Sequence, residues 1–254
     1  YGGSAWRMAR TYDTPAQTLR LTQAPSAERG ERLGSVFGCK DCHGTHGRIF
    51  FEVPMIGRLI APDLARAAQN YNDAELVTVL RHGVKRDHTS AIVMPADAFS
   101  SLSDDDVADV IAWMRALKPE AETETAETTL GPLGRFAVIS GGFPFSADMP
   151  HDPAPPAARP TAKLALGEYL VKSSCNHCHR LDEEHVVKPG LTAPPVRPMT
   201  QSYDLDQFKH LLRTGKALGD RELVLMSDVA RSAFSRLDEA EVEAIHAYLN
   251  APSQ

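Results

Sequence analysis

The chain has 254 residues, 43% hydrophobic and 24% charged, with a formal net charge of −6. That is the composition of an ordinary globular protein with room for one large domain or two small ones. Its apolar runs fall short of the roughly 18 residues that suggest a membrane-spanning helix, and no Lys/Arg stripe marks a nucleic-acid partner.

Taken in chain order, the first 25 or so residues read as an extension. Tyr1 stands where an initiator methionine would, so a preceding segment is expected; a cleaved signal peptide, a trimmed membrane anchor or simply further residues of the chain would all look alike. A short helix is expected over about 26–37, carrying Gly30 and Leu33, and it leads into GCKDCHG at 38–44. Ala61-Pro62 come next, then a middle helix after Tyr71 in which Leu76, Val79 and Leu80 share one face. Gly83 stops that helix, as glycine does just past a C-terminus. Met94 sits in the loop AIVMPADAF. Ser103 is placed to cap the last helix, with Asp106 three residues on, and Val107, Val110, Ile111 and Met114 form its buried stripe. No strand-period segment of useful length is visible, so residues 1–118 are expected to form an all-α domain.

Residues 119–160 read as a linker. They hold 2 basic and 6 acidic side chains, so most of the net charge lies here. The stretch opens with Glu120, Glu122, Glu124 and Glu127 among threonines, a solvated run, and ends in the proline-rich PHDPAPPAARP, which should be extended. Between them GPLGRFAVISGGFPF (131–145) is too apolar for a free linker. It is expected to pack as a strap against one or both domains; the sharper reading is a docking surface for another subunit.

Residues 161–254 repeat the first domain. Cys39 aligns with Cys175 at an offset of 136. Ala61-Pro62 meets Ala193-Pro194, Tyr71 meets Tyr203, Leu80-Arg81-His82-Gly83 meets Leu212-Arg213-Thr214-Gly215, and Met94 meets Met226, all at 132. Phe99, Leu102 and Trp113 meet Phe234, Leu237 and Tyr248 at 135. Two small indels account for the drift, and the chain is a tandem duplication.

The duplication places Cys-x-x-Cys-His twice, at Cys39, Cys42 and His43 and at Cys175, Cys178 and His179, and these are all the cysteines present. Structural zinc would want the two pairs about 15–20 residues apart; here more than a hundred residues and a whole predicted core intervene. Thioredoxin-like chemistry wants a βαβ setting, and neither rival explains the histidine. Covalent haem attachment explains every position: two thiols add to the two vinyl groups, and the adjacent histidine becomes the proximal iron ligand. Methionine is a common second axial ligand that raises the reduction potential, and Met94 and Met226 occupy the same place in the two copies. At Met226 a serine replaces the proline that follows Met94, and His210 and Lys216 are rival ligands.

Each half resembles a class I cytochrome c domain, and the whole resembles periplasmic dihaem cytochromes c, some of them membrane-associated. The residues that carry the likeness are the two Cys-x-x-Cys-His motifs, Ala61-Pro62-Asp63-Leu64, Leu80-Arg81-His82-Gly83, Met94-Pro95 and Leu102-Ser103-Asp104-Asp105-Asp106. The resemblance implies two covalently bound haem c groups, a crossing of the first and last helices at Gly30 against Trp113 and at Gly167 against Tyr248, and an exported, periplasmic location. YGGSAWRMARTYDTP resembles the stretch that follows an inner-membrane anchor in some of these proteins.

Two six-coordinate His/Met haems leave no open iron site, which predicts an electron carrier rather than an enzyme. Its expected partners are redox proteins: a dehydrogenase, an oxidase or a respiratory complex of which the chain is the cytochrome subunit. The alternative is a dihaem peroxidase-type enzyme with an open second haem.

Overall fold

The computed structural model describes residues 2–15, 17–44, 47–119, 127–143, 145–188 and 190–252. The chain divides into two compact units, residues 1–31 with 42–157, and residues 32–41 with 158–254. Among the described residues no helix is long and apolar enough to cross a membrane.

In the first half, α1 (Gly2–Met8), α2 (Ala27–Val36) and the one-turn α3 (Cys39–His43) precede a hairpin of β1 (Arg48–Val53) and β2 (Gly57–Ala61). Then come α4 (Leu64–Asn70), α5 (Asp73–His82), α6 (Ala96–Ser100) and α7 (Asp104–Ala116). The expected helices are present. Asn72 and Glu75 close a reciprocal capping box at the start of α5, and Gly83 ends it in the left-handed region at φ 64°. Leu76, Val77, Leu80 and Arg81 are the buried residues of α5, so Val77 takes the place expected for Val79. In α7, Ser103 accepts from the Asp106 N–H, and Val107, Val110, Ile111 and Met114 are buried as expected.

Gly30 of α2 lies so close to α7 that a Cβ there would sit 1.8 Å from the Asp109 carbonyl oxygen and 2.8 Å from the Trp113 Cβ. The glycine is required by close helix approach, not by its backbone angles.

The expected all-α domain is mostly helical, with a small sheet added to it. Arg48↔Ala61 through Val53↔Gly57 pair antiparallel, and Gly57↔Leu130 adds β3 (Thr129–Leu130) at the edge. Ile, Phe and Val favour this pairing, but the strands have six and five residues and a register shift between Ile49 and Phe51 breaks the alternation. Period-two reading needs an unbroken run.

The described part of the expected linker is built into the first unit as far as Ala157. Behind β3, α8 (Pro132–Ser140) buries Val138 and ends at Gly141, and the Leu133 N–H donates to the Met55 carbonyl. Farther on, the carbonyls of Pro156 and Ala157 accept from the Asp104 and Asp105 N–H groups, completing the start of α7. The N-terminal extension binds the same helix end, where Arg20 and Thr22 contact Asp104 and Asp105, and Arg29 of α2 grips Asp109 farther along α7 through two nitrogens at 2.7 and 2.9 Å. The segment likened to the sequel of an anchor forms α1, whose Ser4 is buried and meets Arg135 of α8 at 3.4 Å.

The second half has α9 (Lys163–Ser173), β4 (His185–Lys188), β5 (Leu191–Ala193), α10 (Val196–Gln201) and α11 (Leu205–Thr214). It continues with the two-residue strands β6 (Lys216–Ala217) and β7 (Arg221–Glu222), then α12 (Met226–Ser232) and α13 (Glu239–Asn250). Asp204 with Gln207 caps α11, Asp238 with Glu241 caps α13, and Gly215 ends α11 at φ 76°. Gly167 repeats the close crossing, with a Cβ position 2.1 Å from the Ala244 oxygen and 2.7 Å from the Tyr248 Cβ. Leu170, Leu211, Val242, Ile245 and Leu249 form the core of this half.

Candidate functional site

Each cysteine motif follows the helix that the close glycine crossing anchors. Gly38, at φ 77°, turns the chain out of α2 and into α3. In the second copy Ser174 leaves α9 and Cys175–His177 form a single tight turn, with the Cys178 and His179 N–H groups donating to the Cys175 carbonyl. The two cysteines and the histidine of each motif are thus carried on one helical turn.

The histidines are held alike. His43 Nδ1 lies 2.8 Å from the Pro62 carbonyl oxygen, and His179 Nδ1 lies 2.8 Å from that of Pro194. A carbonyl can only accept, so Nδ1 is the donor, and in the neutral ring that leaves the lone pair on Nε2. That is the tautomer a metal ligand needs, oriented by a hydrogen bond from its other nitrogen. The role of Pro62 and Pro194 is not evident from residue type; the one signal was their constant offset in the repeat. The loops that present them differ. Asp63 caps α4 by accepting from the Ala65 and Arg66 N–H groups, whereas α10, which lacks that aspartate, is capped by the Arg180 and Leu181 carbonyls accepting from Val196 and Arg197.

In the second half an apolar cleft brings Cys175, His179 and Met226 together. Its walls are supplied by Val196 and Met199 of α10, Phe208, Leu211 and Leu212 of α11, Phe234, Leu237, and Ile245 and Leu249 of α13. A planar apolar macrocycle with an iron to be held from two sides fits this lining: an imidazole and a thioether open onto one greasy space. His210 and Lys216, the rival ligands, are not among the cleft's residues. His210 lies on the exposed side of α11 near Asp220, at 3.7 Å, and Lys216 pairs with Glu222 at 2.5 Å.

Burial pushes the Cys175 thiol up to about 11 and raises that of Cys178 as well. An apolar setting disfavours the thiolate that zinc or disulfide exchange would use. Among the described residues, moreover, no group of three or more His, Cys, Asp or Glu side chains could hold a metal ion. In the first half Cys39, Cys42 and His43 form α3. Met94 is half-buried between Val93, at φ 68°, and Pro95, which leads into α6.

The family model "Cytochrome C oxidase, cbb3-type, subunit III" matches residues 25–114, and the model "Cytochrome c" matches residues 164–251. The chain is a two-domain cytochrome c. Among curated relatives, the fructose dehydrogenase cytochrome subunit of Gluconobacter japonicus is 26% identical over 289 residues, an alignment covering 98% of this chain and 56% of that protein. The chain therefore spans little more than half of that relative. A diheme cytochrome c-type protein of Cereibacter sphaeroides is 25% identical over 263 residues, covering 88% of this chain and 84% of the relative. Two cytochrome c domains, each with one Cys-x-x-Cys-His motif, make this a dihaem protein with two covalently bound haem c groups.

Proposed function

We propose that this dihaem cytochrome c carries electrons from a dehydrogenase to a respiratory acceptor in an exported compartment. One haem would be attached at Cys39 and Cys42 with His43 and Met94 as axial ligands, the other at Cys175 and Cys178 with His179 and Met226. Bound there, haem supplies one-electron chemistry at its iron; the chain's part is to hold the group, fill both axial positions and exclude substrate.

The observation that carries this reading is the pairing of the two histidines with the Pro62 and Pro194 carbonyls, each leaving Nε2 for iron. The cleft shared by His179 and Met226 adds support and weighs against an open second haem. A dehydrogenase donor is favoured by the name of the Gluconobacter relative and by a feature of the first unit. Trp6 of α1 and Phe136 of α8 are 71% and 67% exposed, with Leu133 and Ile139 beside Phe136 on the outer side of α8. Clustered exposed apolar residues of this kind mark protein interaction sites.

Spectroelectrochemical titration tests the ligand set. The wild-type protein should show two c-type haems and a far-red thioether–Fe(III) charge-transfer band. Met94→Ala should remove half of that band and lower one midpoint potential. Unchanged potentials in Met94→Ala would refute the assignment.

A further inference from the structure

The methionine loops of the two domains are closed in different ways, and the difference assigns a role to the strap. In the second domain the closure is local. Ser227, directly after Met226, is buried; its hydroxyl donates to the Gly215 carbonyl at 2.5 Å and accepts from the Leu223 N–H at 2.7 Å. Its own carbonyl oxygen packs 2.5 Å from where a Cβ on Gly215 would stand. In the first domain the residue after Met94 is Pro95, which has neither a hydroxyl nor an N–H to offer.

The missing groups come from residues 145–147. Phe145 pairs with Ile92 in an antiparallel bridge, and the Ser146 N–H donates to the Ala91 carbonyl at 3.0 Å. The Ser146 hydroxyl donates to the Met94 carbonyl at 2.7 Å, and the Ala147 N–H donates to Ser90 Oγ at 2.9 Å. Ser146 is fully buried, and its Cβ lies 2.2 Å from the Cβ position of Gly83, the counterpart of Gly215. Both serines therefore seat on the left-handed glycine that ends the middle helix. Farther along the strap the His151 ring packs 5.1 Å from that of His82, one residue before Gly83. The loop needs such bracing: Val93, next to Met94, has φ 68°, a costly angle for a β-branched residue that persists only when its surroundings over-determine it.

We propose that Ser146 is a positioning residue for Met94. It stands in for the serine that follows the methionine in the second domain and locks the first methionine loop closed. The proposal rests on the reading of Met94 as an axial ligand.

Imidazole binding to the ferric holoprotein tests it, with the steps of the two haems assigned through the Met94→Ala and Met226→Ala variants. An exogenous ligand binds only the fraction of molecules whose methionine is displaced, so apparent affinity scales with that fraction. Ser146→Ala should tighten imidazole binding at the Met94 haem about fivefold, the equivalent of one hydrogen bond of about 1 kcal/mol, and leave the Met226 haem unchanged. Ser227→Ala should do the reverse. Unaltered affinity in Ser146→Ala, beside a Met94→Ala protein that binds imidazole readily, would overturn the clamp and leave the ligand assignment standing. No effect of Met94→Ala itself would overturn both. Should Ser146→Ala fail to fold, Ser90→Ala releases the Ala147 anchor, together with the Ser90 hydroxyl's own bond to the Ala91 carbonyl, and must shift binding in the same direction; an unchanged value there is equally fatal.

Discussion

Asp104 shows how much of the first domain hangs on single charged side chains. It is 1% exposed, yet it accepts from Arg81 at 2.7 Å, from the Arg20 N–H at 3.0 Å and from Arg20 Nε at 3.0 Å. Burial by itself would raise its carboxyl pKa; the Arg20 N–H and the two guanidinium groups more than offset that and hold it below the ordinary value. Asp104→Ala would leave the buried Arg81 cation without its counter-charge, which typically costs about 3–5 kcal/mol, and denaturant unfolding of the haem-loaded protein should register a loss of that size. His82 responds oppositely to its setting: burial, then His151 and Arg81, lower its pKa from 6.5. A histidine kept neutral by folding contributes stability that is complete above the unfolded-state value and is lost as pH falls through it towards the depressed folded value. His82→Gln should therefore flatten the fall in melting temperature between pH 7 and pH 5; parallel curves for the two proteins would show that His82 does not titrate in this way. Neither role could be read from residue type. LSDDDV looks like a helix start, which it is, but the partners Arg20 and Arg81 come from elsewhere in the chain and nothing in the local pattern pairs them.

Helices at the next scale were far more legible, because duplication repeats every constraint. Gly30 stands nine residues before Cys39 and Gly167 eight before Cys175, each opposite an aromatic residue of the last helix, and each proves to be where backbone meets backbone. A methyl group at Gly167 would overlap the Ala244 carbonyl at 2.1 Å, with only helix backbone to give way. Overpacking commonly costs about 1–3 kcal/mol, and contacts this short belong at or beyond the upper end. Gly167→Ala should accordingly lower the yield of haem-loaded second domain, or its melting temperature, well below that of an exposed control such as Gly2→Ala, whose Cβ would meet nothing within 4 Å. Equal stability of the two variants would mean that the helices separate freely. The strands escaped sequence reading for a stated reason, a bulge within a six-residue run, and so did the strap's function. Ser146 is one hydroxyl in an apolar stretch, 52 residues from Met94, and only the fold brings them within a hydrogen bond.

Across the whole molecule the duplication gives two similar haem-binding halves whose surroundings differ, and the strap makes most of the difference. Sequence reading recovered the two domains but left open where residues 131–145 would lie; in the structure α8 joins the first unit, keeping Val138 inside and Leu133, Phe136 and Ile139 outside. An outward apolar face of this kind marks a protein interaction site, and it is the surface on which the proposed dehydrogenase donor would dock. Trp and other aromatic residues dominate interface energetics, where a central anchor commonly contributes 2 kcal/mol or more, about thirtyfold in affinity. Phe136→Asp should therefore raise the KM of the donor dehydrogenase for this cytochrome by roughly that factor, leaving kcat at saturation and both midpoint potentials where they were. An apolar contact should also make association weakly dependent on ionic strength, in contrast to electrostatically steered encounters that slow steeply as salt rises. Steady-state reduction by the dehydrogenase, followed against cytochrome concentration at low and high salt, reads both quantities. A KM indifferent to Phe136→Asp would move the docking site away from α8, whereas a fall in potential would mean that the substitution disturbs the strap and Met94 instead of a docking face.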